Sequence, residues 1–197
     1  MFTGIIEELA IVVDIQKEQE NLHLTLRSNI TSELKIDQSV AHNGVCLTVV
    51  KIEGDLYTVT AIKETLEKAN IGQLKINDKV NIERSMVMNG RIDGHIVQGH
   101  VDQTAICQSI TEDQGSWKYS FTYDASKGNL TVSKGSITIN GVSLTVVDST
   151  PGKLSVAIIP YTIEHTNFHT FEVGTIVNLE FDVIGKYVAT YMANINS

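Results

Sequence analysis

One long segment occurs twice in the chain, and that duplication constrains the fold more than any other feature. Residues Val40–Val50 return ninety-seven positions later as Ile137–Val147, and between Asn43 and Val50 the copies differ only where Cys46 stands against Ser143. The same offset holds without a gap to Val80–Glu83 and Val177–Glu180, and in between Glu64–Asn70 answers to Tyr161–Asn167. With two residues of slack, Gly4–Ala10 also matches Gly99–Ala105. A period this long belongs to a duplicated domain rather than to a solenoid unit. Two domains of roughly 90–100 residues are expected, each large enough to bury its own core. Two similar pockets should follow.

Composition excludes several classes of function. Hydrophobic residues make up 42% and charged residues 19%, with no apolar run near the length of a membrane span. The formal charge of −8, without a cluster of Lys and Arg, argues against a nucleic-acid partner, which needs cations to displace counterions. No basic segment followed by an apolar stretch opens the chain, so a soluble cytoplasmic protein is expected. Cys46 and Cys107 lie at positions of the repeat that do not correspond, and neither belongs to a CxxC, so no disulfide is expected.

Short stretches with strand-like alternation dominate: Ala10–Asp14, Leu22–Leu26, Ser39–Ala41, Cys46–Ile52, Tyr57–Ala61 and Lys79–Glu83, repeated in the second half. Turn signals separate them at Asn43-Gly44, Glu53-Gly54-Asp55, Asn77-Asp78, Asn140-Gly141 and Pro151-Gly152. Six short strands per half predict an all-β protein of two tandem closed barrels, which also removes exposed sheet edges. Short helices are expected at Thr31–Leu34, Lys63–Ala69 and Ser126–Leu130. The tail, Val183–Ile195, carries apolar residues at three- and four-residue spacings and predicts a helix whose stripe packs on its own domain or on another subunit. Met86–Asp93 reads as the linker. The expected units are residues 1–92, 93–184 and the tail 185–197.

The motifs have bland readings as well as functional ones. Asn-Gly supplies the positive φ of a tight hairpin. Cys46-Leu47-Thr48 and Ser143-Leu144-Thr145 put two polar side chains on one strand face and a leucine opposite; the sequence leaves open whether that polar face lines a pocket or meets solvent. His95 and His100 lack further ligands at a recognisable spacing, so no metal is expected. No G-x-G-x-x-G occurs. Cys46 could be a nucleophile or a small buried hydrophobe, and His100 an acid or base or a packed side chain. Divergence between the copies is more informative: Cys46 with Ser143, Asp37 with Lys134, His42 with Ile139, Ile5 with His100 and Ser85 with Asp182. Scaffold residues match while reactive ones differ, as expected if two copies of one kind of molecule play different parts.

Met1–Glu8, Val40–Thr48, Lys63–Thr65, Val80–Glu83, Gly94–Val101, Gly141–Thr145 and Val177–Asp182, in this order and spacing, resemble the riboflavin synthases of α-subunit type, essentially end to end. The resemblance implies two six-stranded Greek-key barrels of the riboflavin-synthase-like fold, a C-terminal oligomerisation helix and a homotrimer. It implies dismutation of two molecules of 6,7-dimethyl-8-ribityllumazine to riboflavin and 5-amino-6-ribitylamino-uracil without a cofactor. Each active site would form between the N-terminal barrel of one subunit and the C-terminal barrel of the next. Carried over by motif, the N-terminal site would take Phe2, Gly4, Ile5, Ile6, Ser39, Cys46, Leu47, Thr48, Thr60, Ala61, Ile62, Lys63, Glu64 and Thr65. The C-terminal site would take Gly99, His100, Val101, Lys134, Ser143, Leu144, Thr145, Ala157, Ile158, Ile159, Pro160, Tyr161 and Thr162, with Asp182 beside it. His100, Thr145 and Asp182 resemble residues that assist proton transfer, and Ser39 and Cys46 those that contact or activate the other lumazine.

The chain departs from the family pattern where Asn140 replaces an acid, where Asp93-Gly94 replaces Gly-Gly, and in a tail that keeps Lys186-Tyr187-Val188 but not the Glu-Arg that follows. The competing readings are a non-catalytic binder of lumazine or flavin, as in luminous bacteria, and an interaction module on the same scaffold.

Overall fold

In the computed structural model, which describes residues 1–195, the repeat is expressed as two closed antiparallel barrels of the same topology. The first comprises β1 (Glu8–Glu18), β2 (Asn21–Arg27), β3 (Ser39–His42), β4 (Val45–Glu53), β5 (Leu56–Ala61) and β6 (Lys79–Arg84), in the order β1-β2-β5-β4-β3-β6, with helix α1 (Lys63–Lys68) before β6. The second comprises β7 (Gln103–Asp113), β8 (Ser116–Tyr123), β9 (Ser136–Ile139), β10 (Val142–Thr150), β11 (Lys153–Ile158) and β12 (Ile176–Phe181), with α2 (Pro160–His165) in the place of α1. Helix α3 (Val183–Ile195) follows the last strand; the final two residues of the expected tail lie outside the described residues. The segments expected as helices near 31–34 and 126–130 are 3-10 turns, Asn29–Glu33 and Ala125–Lys127.

Alternation builds the barrels. In β5 the side chains of Tyr57, Val59 and Ala61 point inward and are buried while their neighbours are half-exposed. Asn43-Gly44 and Asn140-Gly141 close the β3–β4 and β9–β10 hairpins with positive φ at both residues, 46° and 79° in the first and 45° and 81° in the second. Leu24, Leu26, Val59 and Ile71 fill the first core. Phe121, Ile137, Phe168 and Leu179 fill the second, where Phe168 meets Tyr119 edge-on at 5.3 Å.

The first core holds a buried pair of polar side chains, His42 and Tyr57. The His42 ring is fully buried, with Nδ1 3.0 Å from the Val40 carbonyl oxygen and Nε2 2.9 Å from the Tyr57 hydroxyl. Burial pushes the imidazole down to about 4, against a backbone hydrogen bond that raises it. The folded state therefore binds this proton less readily than the unfolded chain, so stability falls as the pH drops from about 6.5 towards 4, by roughly 3 kcal/mol in all. The repeat supplies the control, since the matching residues of the second barrel are Ile139 and Leu154. The double substitution His42→Ile with Tyr57→Leu should fold and flatten this part of the stability–pH curve in denaturant titrations; an unchanged slope would assign the effect elsewhere.

Six buried asparagines join the barrels. They form three repeat-related pairs: Asn43 and Asn140, Asn70 and Asn167, Asn81 and Asn178. The Asn81 amide donates to the Asn140 carbonyl oxygen at 2.9 Å, and the Asn178 amide to that of Asn43 at 2.8 Å. The backbone N–H of Asn70 donates to Asn178 Oδ1, and that of Asn167 to Asn81 Oδ1, both at 2.7 Å. Asn140 Oδ1 accepts from the Asn178 N–H at 2.8 Å and from the Asn70 side chain at 3.2 Å, so a neutral amide serves both donors with no charge to desolvate. Gly44 and Gly141 meet beside this network, and a Cβ on Gly44 would fall 2.8 Å from the Gly141 nitrogen. These reciprocal bonds relate the two barrels by an approximate two-fold.

Candidate functional site

The segments that precede the two barrels cross over. Phe2 and Val97 pair as an isolated antiparallel bridge, Phe2 N–H to Val97 O at 2.7 Å and Val97 N–H to Phe2 O at 3.0 Å. Beyond the bridge, Gly4 O accepts from the Ser143 N–H at 2.8 Å in the second barrel, while Gly99 O accepts from the Cys46 N–H at 2.9 Å in the first. Ile6 accordingly packs against the second core and Val101 against the first. This corrects the expected partition: Gly4, Ile5 and Ile6 belong with Ser143, and Gly99, His100 and Val101 with Cys46. Homology within the chain locates each segment in its repeat, but the pairing of Phe2 with Val97 places it on the other barrel. The expected linker 86–93 is likewise only the start of a connection that runs from β6 to β7: His95 meets the second barrel at Ser143 and Thr138, and from Val97 onward the segment packs on the first.

Two buried carboxylates fasten the crossing. Glu83, 5% exposed, accepts from the backbone N–H of Thr3 and Gly4 and from the Thr3 hydroxyl at 2.6–2.9 Å. Glu180, its repeat partner, accepts from the N–H groups of Gln98, Gly99 and His100 at 2.6–2.9 Å. Burial raises both carboxyls, and these hydrogen bonds oppose the shift. Sequence comparison marks both glutamates only as matching scaffold, yet they set the position of both crossing segments.

At the first barrel the crossing completes a cavity of about 380 Å³ lined by Cys46, Ile62, Glu64, Thr65, Lys68 and the Gly99–Val101 segment, among others. Helix α1 forms one wall, where Lys68 and Glu64 pair one turn apart at 2.6 Å. Phe2 is wholly buried behind Cys46, with Ala41 and Val97. Ser39 faces Thr48 across the β3–β4 ladder, next to the Ala41–Cys46 pair. Leu47 and Ala61 point into the core, and neither lines this cavity. The Thr60 hydroxyl lies 2.9 Å from His23 Nδ1, and Lys63 pairs with Glu20.

The corresponding region of the second barrel has different reactive groups. Ser143 Oγ is 2.7 Å from Nδ1 of His95, a residue that sequence reasoning weighed only as a metal ligand. Its ring Nε2 is 3.1 Å from the Thr138 hydroxyl. Thr145 and Lys134 are exposed, the latter at φ 66°. Leu144 packs on the core and Ile158 lies inside it, while Ala157 and Ile159 are exposed. Pro160 opens α2, whose Tyr161 stacks on His165 at 4.0 Å, and the Thr162 carbonyl accepts from the Thr166 hydroxyl. Asp182 Oδ1 accepts from the Ile184 N–H and so caps α3. Lys186, on the next turn, pairs with Asp102 at 2.6 Å and fastens the helix to its barrel.

The lumazine binding domain model matches twice, over residues 3–85 and 98–182. A riboflavin synthase of Actinobacillus pleuropneumoniae is 41% identical over 193 residues, covering 98% of this chain and 90% of that protein. The riboflavin synthase of Bacillus subtilis (strain 168) is 39% identical over 197 residues, covering 100% and 92%. Among solved structures, LumP complexed with 6,7-dimethyl-8-(1'-D-ribityl) lumazine superposes with a TM-score of 0.83 at 25% identity, covering 91% of this chain and 98% of that one. LumP complexed with riboflavin gives 0.83 at 25% identity, covering 92% and 99%.

Proposed function

The chain belongs to the riboflavin synthase family, and from that premise we propose how its two pockets divide the work of dismutating two molecules of 6,7-dimethyl-8-ribityllumazine to riboflavin and 5-amino-6-ribitylamino-uracil. The observation that carries the proposal is one architecture built twice with different reactive groups, Cys46 with His100 in one copy and Ser143 with His95 in the other. One lumazine must lose a proton from a ring methyl group and the other must accept the resulting carbon nucleophile, so like pockets with unlike side chains suit the reaction. Holding the two heterocycles face to face supplies about 7–11 kcal/mol of the barrier reduction. A positioned acid or base such as His100, at the rim of the Cys46 cavity, adds roughly 10²–10⁴-fold. Hydroxyls, backbone amides and Lys134 suffice for a ribityl chain, which carries no phosphate. Ser39, Thr145 and Asp182 are proposed to contact the bound heterocycles or assist proton transfer.

The Cys46 cavity is lined by residues 45–69 and 99–101, with no side chain of β7–β12 in its wall. The facing lumazine is therefore proposed to come from a neighbouring subunit of a cytoplasmic homotrimer. Helix α3 supports this, because Ile184, Tyr187, Val188, Tyr191 and Met192 are each more than half exposed on a helix otherwise tethered to its own barrel. No helix among the described residues is long and apolar enough to cross a membrane. The non-catalytic alternative draws on the likeness to LumP, but identity to synthases reaches 41% against 25% for LumP.

Mixed assemblies provide the test. A chain with the first pocket blocked and a chain with the second blocked should each be inactive alone and recover turnover when refolded together; no recovery would reject the shared site. Substituting Tyr187→Asp with Tyr191→Asp should give a monomer by light scattering, with ligand binding kept and turnover reduced on the order of 100-fold or more through lost juxtaposition.

A further inference from the structure

We propose that His95 is a positioning residue: by spanning Ser143 and Thr138 it fixes the orientation of the Ser143 hydroxyl towards the heterocycle held at the second barrel. The proposal rests on the two-pocket reading above and deepens it. Thr138 and Ser143 are direct cross-strand partners in the β9–β10 ladder, so their hydroxyls stand side by side on one face of the barrel wall. The imidazole bridges them with Nδ1 2.7 Å from Ser143 Oγ and Nε2 3.1 Å from Thr138 Oγ1. Thr138 is 1% exposed, so its hydroxyl is taken up by this contact.

A neutral imidazole has one donor and one acceptor nitrogen. If Nε2 donates to Thr138, the Ser143 hydroxyl donates to Nδ1 and presents its lone pairs to a ligand. With the other tautomer Ser143 accepts from Nδ1 and presents its hydrogen. In both cases the ring stops the Ser143 rotor, and the tautomer decides whether a ligand meets a donor or an acceptor. Burial favours the neutral ring, while the Asp182 carboxylate nearby opposes that shift.

His95 is itself held rigidly. Its backbone N–H donates to the Thr3 carbonyl oxygen at 3.1 Å. Any side chain on the preceding Gly94 would place a Cβ 2.1 Å from that same oxygen and 2.9 Å from Ser143 Oγ. The first barrel has no counterpart to this device. The positions matching Thr138 and Ser143 are Ala41 and Cys46, and Phe2 and Val97 pack there instead. His95 thus accounts for one chemical difference between the two pockets that duplication alone would not produce.

The test exploits two isosteric relations: an asparagine amide nitrogen occupies the place of imidazole Nδ1, and a glutamine amide nitrogen that of Nε2. Two-site fluorescence titration with riboflavin should show His95→Asn near wild type, whereas His95→Gln weakens one of the two sites about tenfold. Ser143→Ala should weaken the same site to the same degree, and adding His95→Gln to Ser143→Ala should cost nothing further. The other site serves as internal control, and thermal midpoints report folding. Equal loss at both sites, a loss that multiplies with Ser143→Ala, or Asn behaving like Gln would assign His95 a merely structural role and overturn the proposal. Wild-type protein that binds riboflavin at both sites with His95→Gln unchanged would overturn it while leaving the two-pocket reading intact. Wild-type protein that binds at neither site would overturn both.

Discussion

Replacing Gly99 with valine is expected to destabilise the protein by about 2–5 kcal/mol and to close the Cys46 pocket, the sum of a backbone penalty and an overpacking penalty. Gly99 has φ +80°, a conformation that β-branched residues scarcely adopt. Its missing Cβ would fall 2.6 Å from Cys46 Cβ and 2.8 Å from Phe2 Cε2, and Phe2 has no room to retreat because it is fully buried. The crossing segment would have to lift off the first barrel, breaking the Cys46–Gly99 hydrogen bond and carrying His100 with it. Gly54→Val separates the two causes. That glycine has φ +64° with nothing within 4 Å of the added atom, so it carries the backbone penalty alone. Denaturant midpoints should shift much further for Gly99→Val than for Gly54→Val, with riboflavin binding lost at one site only in the former. Equal shifts would mean that the close approach to Cys46 has no energetic weight.

The second large effect is expected at the asparagine network. Asn81→Leu preserves volume but deprives the Asn140 carbonyl oxygen, the Asn167 side-chain oxygen and the Asn167 N–H of their partners, all of them buried. Each orphaned group costs about 1–3 kcal/mol, so a loss of roughly 3–5 kcal/mol is expected after partial relaxation. The symmetry of the network is broken at one place, and that gives a sharper comparison. Asn167 Oδ1 accepts from Asn81 at 2.9 Å, whereas Asn70 Oδ1 is buried with no partner. Asn167→Ala should therefore be more costly than Asn70→Ala by about 1 kcal/mol in urea titrations. The reverse order would show that the two-fold network is not arranged as described.

The barrels were legible because a period of two and paired Asn-Gly turns are local signals repeated at a fixed offset. The pairing of pockets with crossing segments was not. Gly4 and Gly99 sit in matching places of their repeats, and only a contact between residues far apart in sequence, Phe2 with Val97, decides which barrel each one serves. The six asparagines were visible as matching positions, but their amides bond across the two barrels, so matching looked like mere scaffold. His95 escaped for a related reason: the stretch around it has no clear copy at the start of the chain. A usable signal was nonetheless present. The cross-strand pair Thr138–Ser143 replaces Ala41–Cys46, and two adjacent hydroxyls on a barrel wall call for a polar partner that the first barrel does not need.

Incubation of the purified chain with 6,7-dimethyl-8-ribityllumazine as sole substrate, followed by absorbance and chromatography, tests the account most directly. Riboflavin and 5-amino-6-ribitylamino-uracil should appear in equal amounts, without added metal, nucleotide or flavin, as two lumazines disappear for each riboflavin formed. Folded protein that binds the lumazine and returns it unchanged would contradict the account.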